Sequence, residues 1–195
     1  MSSLIIRNDD VSADTDIDNL KVFCYGCDRY GVQIIHAITP LGETHAIEKS
    51  MTDGEIVALG GKKTLLDNME VVRFLRSRTQ DFFAVHGLWH SHKPPYRDVA
   101  TAKEILNMWG LNPKYFILPF NEGEEYADSF CDLKVLGHME RIEDYLPGMP
   151  KHGLDIPKDI KMLYLHEWRF EEKNKFGYRW EDLWQIIGKR TSIRI

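Results

Sequence analysis

Residues 4–10 read Leu-Ile-Ile-Arg-Asn-Asp-Asp, a short apolar run that passes straight into a polar cluster. That pattern is a buried strand with charged groups at its carboxyl end. Asp16 to Tyr30 then suits a helix: Leu20, Phe23, Cys24 and Cys27 fall on one helical face, and Gly31 serves as the stop. Val32 to Ile38 is a second apolar strand, closed by Thr39-Pro40-Leu41-Gly42. Residues 43–66, which include Gly60-Gly61, interrupt the alternation as a long excursion.

The alternation resumes beyond it. Leu66 to Arg78 reads as a helix, Phe82 to Val85 as a strand and Asp98 to Trp109 as a helix. Tyr115 to Leu118 is a strand, Asp132 to Leu136 another and Ile160 to Leu165 the last, with a closing helix over Trp180 to Gly188. Short apolar strands alternating with amphipathic helices predict parallel strands joined by crossover helices. No repeat or linker divides the 195 residues, so a single domain over 1–195 is expected.

Composition narrows the function. The chain is 43% hydrophobic and 28% charged, ordinary for a folded domain, and its net charge of -5 gives no footprint for nucleic acid. No apolar stretch is long enough for a transmembrane helix. The opening MSSLIIRNDDVS has neither a basic n-region nor a long apolar core, and the three cysteines form an odd set. Both features favour a reducing, cytoplasmic setting.

In parallel α/β folds, function collects at the carboxyl ends of strands. Asp9-Asp10 stands at the end of the first strand, His36 near the end of the second and His86 to His92 after the third. Pro119-Phe120-Asn121 follows the fourth and His166 the last. His86-Gly-Leu-Trp-His90 sets two imidazoles four residues apart, a spacing that serves either a helix face or a tight loop. Two imidazoles and one carboxylate make a metal site with open positions. The spacing alone also fits a surface pair, and its place after an apolar strand favours the metal.

Adjacent carboxylates on a strand point to opposite sides, so one of Asp9 and Asp10 can ligate while the other acts as a base. His166 is placed to be a general acid, because its ordinary pKa lies near working pH. Trp89 and Trp168 offer apolar walls or a sugar-stacking face, with core packing the competing role. Cys24-x-x-Cys27, with no second pair, reads as core. An Asp-His-His set suits zinc first, and also cobalt, nickel, manganese or iron.

Together these stretches resemble the NodB-type polysaccharide deacetylases, carbohydrate esterase family 4. The resemblance runs from residue 4 to about residue 168 and rests on Asp9-Asp10, His86-x-x-x-His90, Leu118-Pro119-Phe120 and Leu165-His166 in that order. It implies a distorted (β/α) barrel of about seven parallel strands. It further implies Asp9 as catalytic base, Asp10, His86 and His90 as ligands of one divalent ion, and His166 as catalytic acid. Pro119, Phe120, Asn121, His36 and Trp89 would line the substrate groove, with the Phe120 backbone N–H on the oxyanion. The implied reaction is hydrolysis of an N-acetyl group on an amino sugar or related glycan. Rival readings are a deformylase or other C–N hydrolase on a small or lipid-linked substrate, and a sugar-binding barrel without turnover.

Three positions depart from the family pattern. Ile117 stands where an arginine usually steadies the base, leaving Arg7 and Arg169 as the candidates to replace it. No clear copy of the family's Asp-Trp motif is present, and Gly87 follows His86 in place of Ser or Thr.

Overall fold

A computed structural model describes residues 4–42, 63–90, 96–119, 129–137, 139–146, 156–170 and 178–191. Its strands are β1 (Ile5–Val11), β2 (Gln33–Ile38), β3 (Phe82–Val85), β4 (Tyr115–Ile117), β5 (Ser129–Phe130), β6 (Leu133–Leu136) and β7 (Met162–Leu165). The helices are α1 (Ile17–Arg29), α2 (Met69–Ser77), α3 (Tyr96–Met108) and α4 (Trp180–Thr191). Short 3-10 turns cover Leu65–Asn68, Ile142–Tyr145 and Glu167–Phe170.

The strands form one seven-stranded sheet in the order β5-β6-β4-β3-β2-β1-β7. β1 pairs in parallel with β7, as β3 does with β4 and β4 with β6. Between β1 and β2, Gln33 N–H bonds Leu4 O at 3.2 Å and Thr39 N–H bonds Val11 O at 2.9 Å. Both strands therefore advance in the same direction. The two-residue β5 differs: it pairs antiparallel with β6 through a tight turn in which Cys131 and Asp132 both have positive φ. Sequence patterning gave no sign of so short a strand.

Chain contacts divide the molecule into two compact units. The first comprises Met1–Asn8, Asp16–Ile35 and Met139–Ile195. Here α1 starts at Asp16, whose carboxylate accepts the Asp18 and Asn19 N–H groups at 2.8 and 2.9 Å. It stops at Gly31 (φ 64°), where Val32 N–H turns back to Cys27 O at 2.9 Å. Leu20, Phe23, Cys24 and Cys27 are fully buried along one face, together with Ile6, Ile34, Leu163 and Leu183. Burying a side chain of that size contributes about 1.5–3 kcal/mol.

The second unit comprises Asp9–Thr15 and His36–His138. Ile38, Leu65, Val71, Leu75, Ala84, Val85, Ala102, Leu106 and Ile117 form its apolar interior. The expected excursion falls largely on residues 43–62, outside the described residues, but its two feet are described. Leu41 bridges Thr64, and Gly42 N–H bonds Lys63 O at 2.7 Å.

Candidate metal centre

Asp9 and Asp10 close β1, both inside the second unit and both buried. Asp10 has φ 70°, the left-handed region that a strand residue ordinarily avoids. Asp tolerates it better than most, at a cost of about 1–2 kcal/mol. The strict alternation assumed for an Asp-Asp pair therefore ends at Asp9.

His86 is the first residue beyond β3, and the segment from His86 to His90 is a non-helical turn. Its start is pinned on three sides. His86 N–H bonds Ile38 O at 2.9 Å, His86 O accepts the Thr39 hydroxyl at 3.1 Å, and the Nδ1–H donates to Ile117 O at 2.9 Å. A carbonyl oxygen only accepts, so Nδ1 carries the proton, and in the neutral ring Nε2 presents its lone pair. Gly87 turns the chain at φ 83°, where a Cβ would lie 2.9 Å from Trp89 O and 3.3 Å from Pro119 Cγ. The glycine at this position, a departure from the resembling family, is thus required by the local backbone.

The turn brings His90 back to Asp10. Asp10 Oδ1 lies 3.0 Å from His90 Nε2 and 3.3 Å from His86 Nε2. The imidazole centroids are 4.9 Å apart, and the three donor atoms lie within 4.8 Å of one another. Bonds of about 2.0–2.2 Å to one small cation separate neighbouring ligand atoms by roughly 3–3.5 Å. The two separations from Asp10 Oδ1 fall in that range and all three atoms lie within 4.8 Å of one another, so the set could hold a divalent ion.

The other expected residues fall in different settings. Trp89 and Pro119 sit at the same turn, both contributing the atoms that crowd Gly87. Phe120 and Asn121 lie outside the described residues. His36, expected in the groove, is completely buried instead. Its Nε2 is 3.0 Å from Asp81 Oδ2, and its ring stacks on Phe83. Asp81 in turn accepts Arg78 Nε at 2.8 Å and Nη2 at 3.1 Å. Burial pushes the Asp81 carboxyl up, but the hydrogen bonds from His36 and Arg78 outweigh it and hold the group below the ordinary value. A histidine near a strand end was a poor guide here because its ring faces the interior.

In the first unit, His166 follows β7 directly. Its Nδ1 stands 3.8 Å from Oε1 of Glu143, and Arg169 Nη1 stands 3.6 Å from the same oxygen. Glu143 is only 2% exposed. It is held there because its 3-10 turn is docked on β7 by an Arg141–Tyr164 bridge and by Tyr164 N–H on Glu140 O at 3.1 Å. A carboxylate at that distance is placed to fix the orientation of the imidazole. Sequence reading passed over Glu143, although an acid between Ile142 and Tyr145, both buried, was a usable signal. Of the two arginines considered as replacements, Arg7 is fully buried with its guanidinium 4.9 Å from the Tyr164 ring centre, and Arg169 pairs with Glu143.

No protein-family model matches this sequence, and no curated protein sequence matches it. Solved structures do match. A peptidoglycan deacetylase from Bacillus subtilis superposes with a TM-score of 0.57 at 12% identity, covering 98% of this chain and 84% of its own. A family 4 acetyl xylan esterase from Clostridium thermocellum, in complex with a cobalt ion, gives 0.56 at 13% identity over 97% and 84%. The fold is theirs. A peptidoglycan N-acetylglucosamine deacetylase agrees, with 0.56 at 12% identity over 98% and 80%. The NodB-like fold expected from the ordered motifs is therefore the fold of the chain. Among the described residues, no helix is long and apolar enough to cross a membrane.

Proposed function

We propose that the chain is a metal-dependent amide hydrolase that removes an N-acetyl group from an amino sugar or related glycan. The convergence of Asp10, His86 and His90 on one point carries this reading. Zinc is the first choice of ion, and cobalt, nickel, manganese and iron suit the same donors. When bound, the ion supplies Lewis acidity towards the scissile carbonyl and acidifies water.

The chain's own residues supply the rest. Asp9 takes the proton from the attacking water, its position one residue before the ligand Asp10 keeping base and ligand side by side in the chain. His166 donates a proton to the departing amine, a poor leaving group without it. Glu143, 3.8 Å from the His166 ring, orients it for that transfer. Trp89 and Pro119 line the acyl and sugar groove; the family resemblance would add Phe120 and Asn121, which lie outside the described residues. Three cysteines, an odd number, are compatible with a reducing compartment such as the cytoplasm. There a soluble, nucleotide-linked or lipid-linked amino sugar is a more accessible substrate than an external polymer.

The test combines metal analysis with a panel of acetylated and formylated amino sugars. Acetate release that depends on the added ion, lost together with the ion in Asp10→Ala, is the expected result. In Asp9→Asn the ion should stay and turnover should fall by roughly 10²–10⁴-fold. Full activity in Asp9→Asn, or tight sugar binding with no product at any metal loading, would overturn the reading. Preferential release of formate would move the activity to a deformylase.

A further inference from the structure

A cavity lies wholly within the first unit, between α1 and α4. It has a volume of about 420 Å³ and is lined by Gly26, Arg29, Tyr30, Glu181, Trp184 and Gln185. None of these belongs to the machinery described above. Its floor is aromatic. Trp184 is half-buried, and its ring is stacked 6.1 Å from Tyr30 at 19° and 5.5 Å from Trp180 at 9°. Gly26 makes this floor possible, because a Cβ on that helical residue would run into the Trp184 indole. The ring is thereby seated against the α1 backbone and held at a fixed tilt.

The rim is polar and exposed. Arg29 and Gln185 provide N–H donors, and Glu181 provides carboxylate acceptors. Among the described residues, the side chains of Arg29 and Gln185 make no hydrogen bond or ion pair with one another or with their neighbours. On α1, Val22 and Tyr25 continue the surface at 46% and 59% exposure, on the same helical face as Arg29. A purely apolar occupant would bury these donors and acceptors without satisfying them. A pyranose has the complementary chemistry: an apolar C–H face for the indole and a ring of hydroxyls that both donate and accept.

We propose that this cavity is a saccharide-binding site, taking one ring of a neutral oligosaccharide and sharing no residue with the candidate metal centre. It stands on the cavity's own chemistry and does not require turnover. The experiment is a titration of isotope-labelled protein with chitotetraose, read by amide and indole NMR, with and without a chelator. Saturable shifts are expected at Gly26, Gln185 and the Trp184 indole whether or not the chelator is present. In Trp184→Ala and in Glu181→Gln/Gln185→Ala, apparent affinity for this site should fall about tenfold or more, while shifts around Gly87 and His90 are unaffected. Absence of shifts at Gly26 and Trp184, or their persistence in both variants, overturns the assignment. So does a concentration-dependent doubling of mass in light scattering that disappears in Trp184→Ala, since a second copy would then cover this face. Loss of shifts around Gly87 and His90 alone would count against the proposed hydrolase and leave this site standing.

Discussion

Asp81 stands immediately before β3 and His86 immediately after it, and each belongs to a buried cluster of carboxylate and imidazole. At the first, Asp81 is gripped by His36 and by both arms of the Arg78 guanidinium, all within 3.1 Å. At the second, Asp10 faces two imidazole nitrogens at 3.0 and 3.3 Å. The residue types nearly coincide, but the compensating charge differs. A guanidinium is permanently cationic and satisfies both carboxylate oxygens, so the Asp81 cluster is closed and holds the fold together. The Asp10 cluster offers a carboxylate and two imidazoles, a donor set that could take its compensating charge from a metal ion. On that reading the arginine, more than the histidine, separates a structural cluster from a binding one.

Substitutions can break this contrast. The largest expected effect is on Asp10→Ala, which should abolish metal binding and lower turnover by roughly three orders of magnitude or more, with thermal unfolding little changed. Asp81→Ala should do the reverse. Removing one member of a buried pair costs about 3–5 kcal/mol, measurable by urea unfolding, while metal affinity is retained. If Asp81→Ala lost the ion and kept its stability, the two clusters would have to exchange roles.

Acid stability sharpens the distinction. The Asp81 carboxyl is depressed in the folded state, so its contribution is fully present above the unfolded value of about 3.9 and is lost as pH falls through the folded value. The gap in unfolding free energy between the parent and Asp81→Asn should therefore narrow on acidification from pH 5 downwards. A gap that stayed constant would remove the linkage.

Two smaller effects belong to the metal turn. Gly87→Ala forces a Cβ into a left-handed backbone position and against Trp89 O, at 2.9 Å. It should cost about 1–3 kcal/mol and displace His90, lowering metal affinity about tenfold or more. Thr39→Val removes only the hydroxyl on His86 O, for about 1 kcal/mol, and isothermal titration should show a slight weakening of metal binding.

The strands were legible because buried parallel strands leave short apolar runs, and β3 matches its expected bounds, Phe82–Val85. The grouping of Asp10, His86 and His90 was legible because residues at strand ends keep fixed chain positions relative to those runs. The left-handed backbone at Asp10 was not, since Asp in a strand-like context carries no mark of its φ. Glu143 was missed because it reaches His166 from a different element, through a docked 3-10 turn that leaves no periodic pattern. His36 was misplaced because strand position tells which end a residue occupies, while the neighbours that claim its ring, Asp81 and Arg78, come from another part of the chain.

The clasp formed by Leu41 with Thr64 and Gly42 with Lys63 brings two points of the chain that are far apart in sequence to one place. For a chain closed at a single point, the entropy of closure changes by only about 0.6 kcal/mol per doubling of the enclosed length. Through that term alone, the second unit is expected to tolerate a change in the number of residues between the two feet.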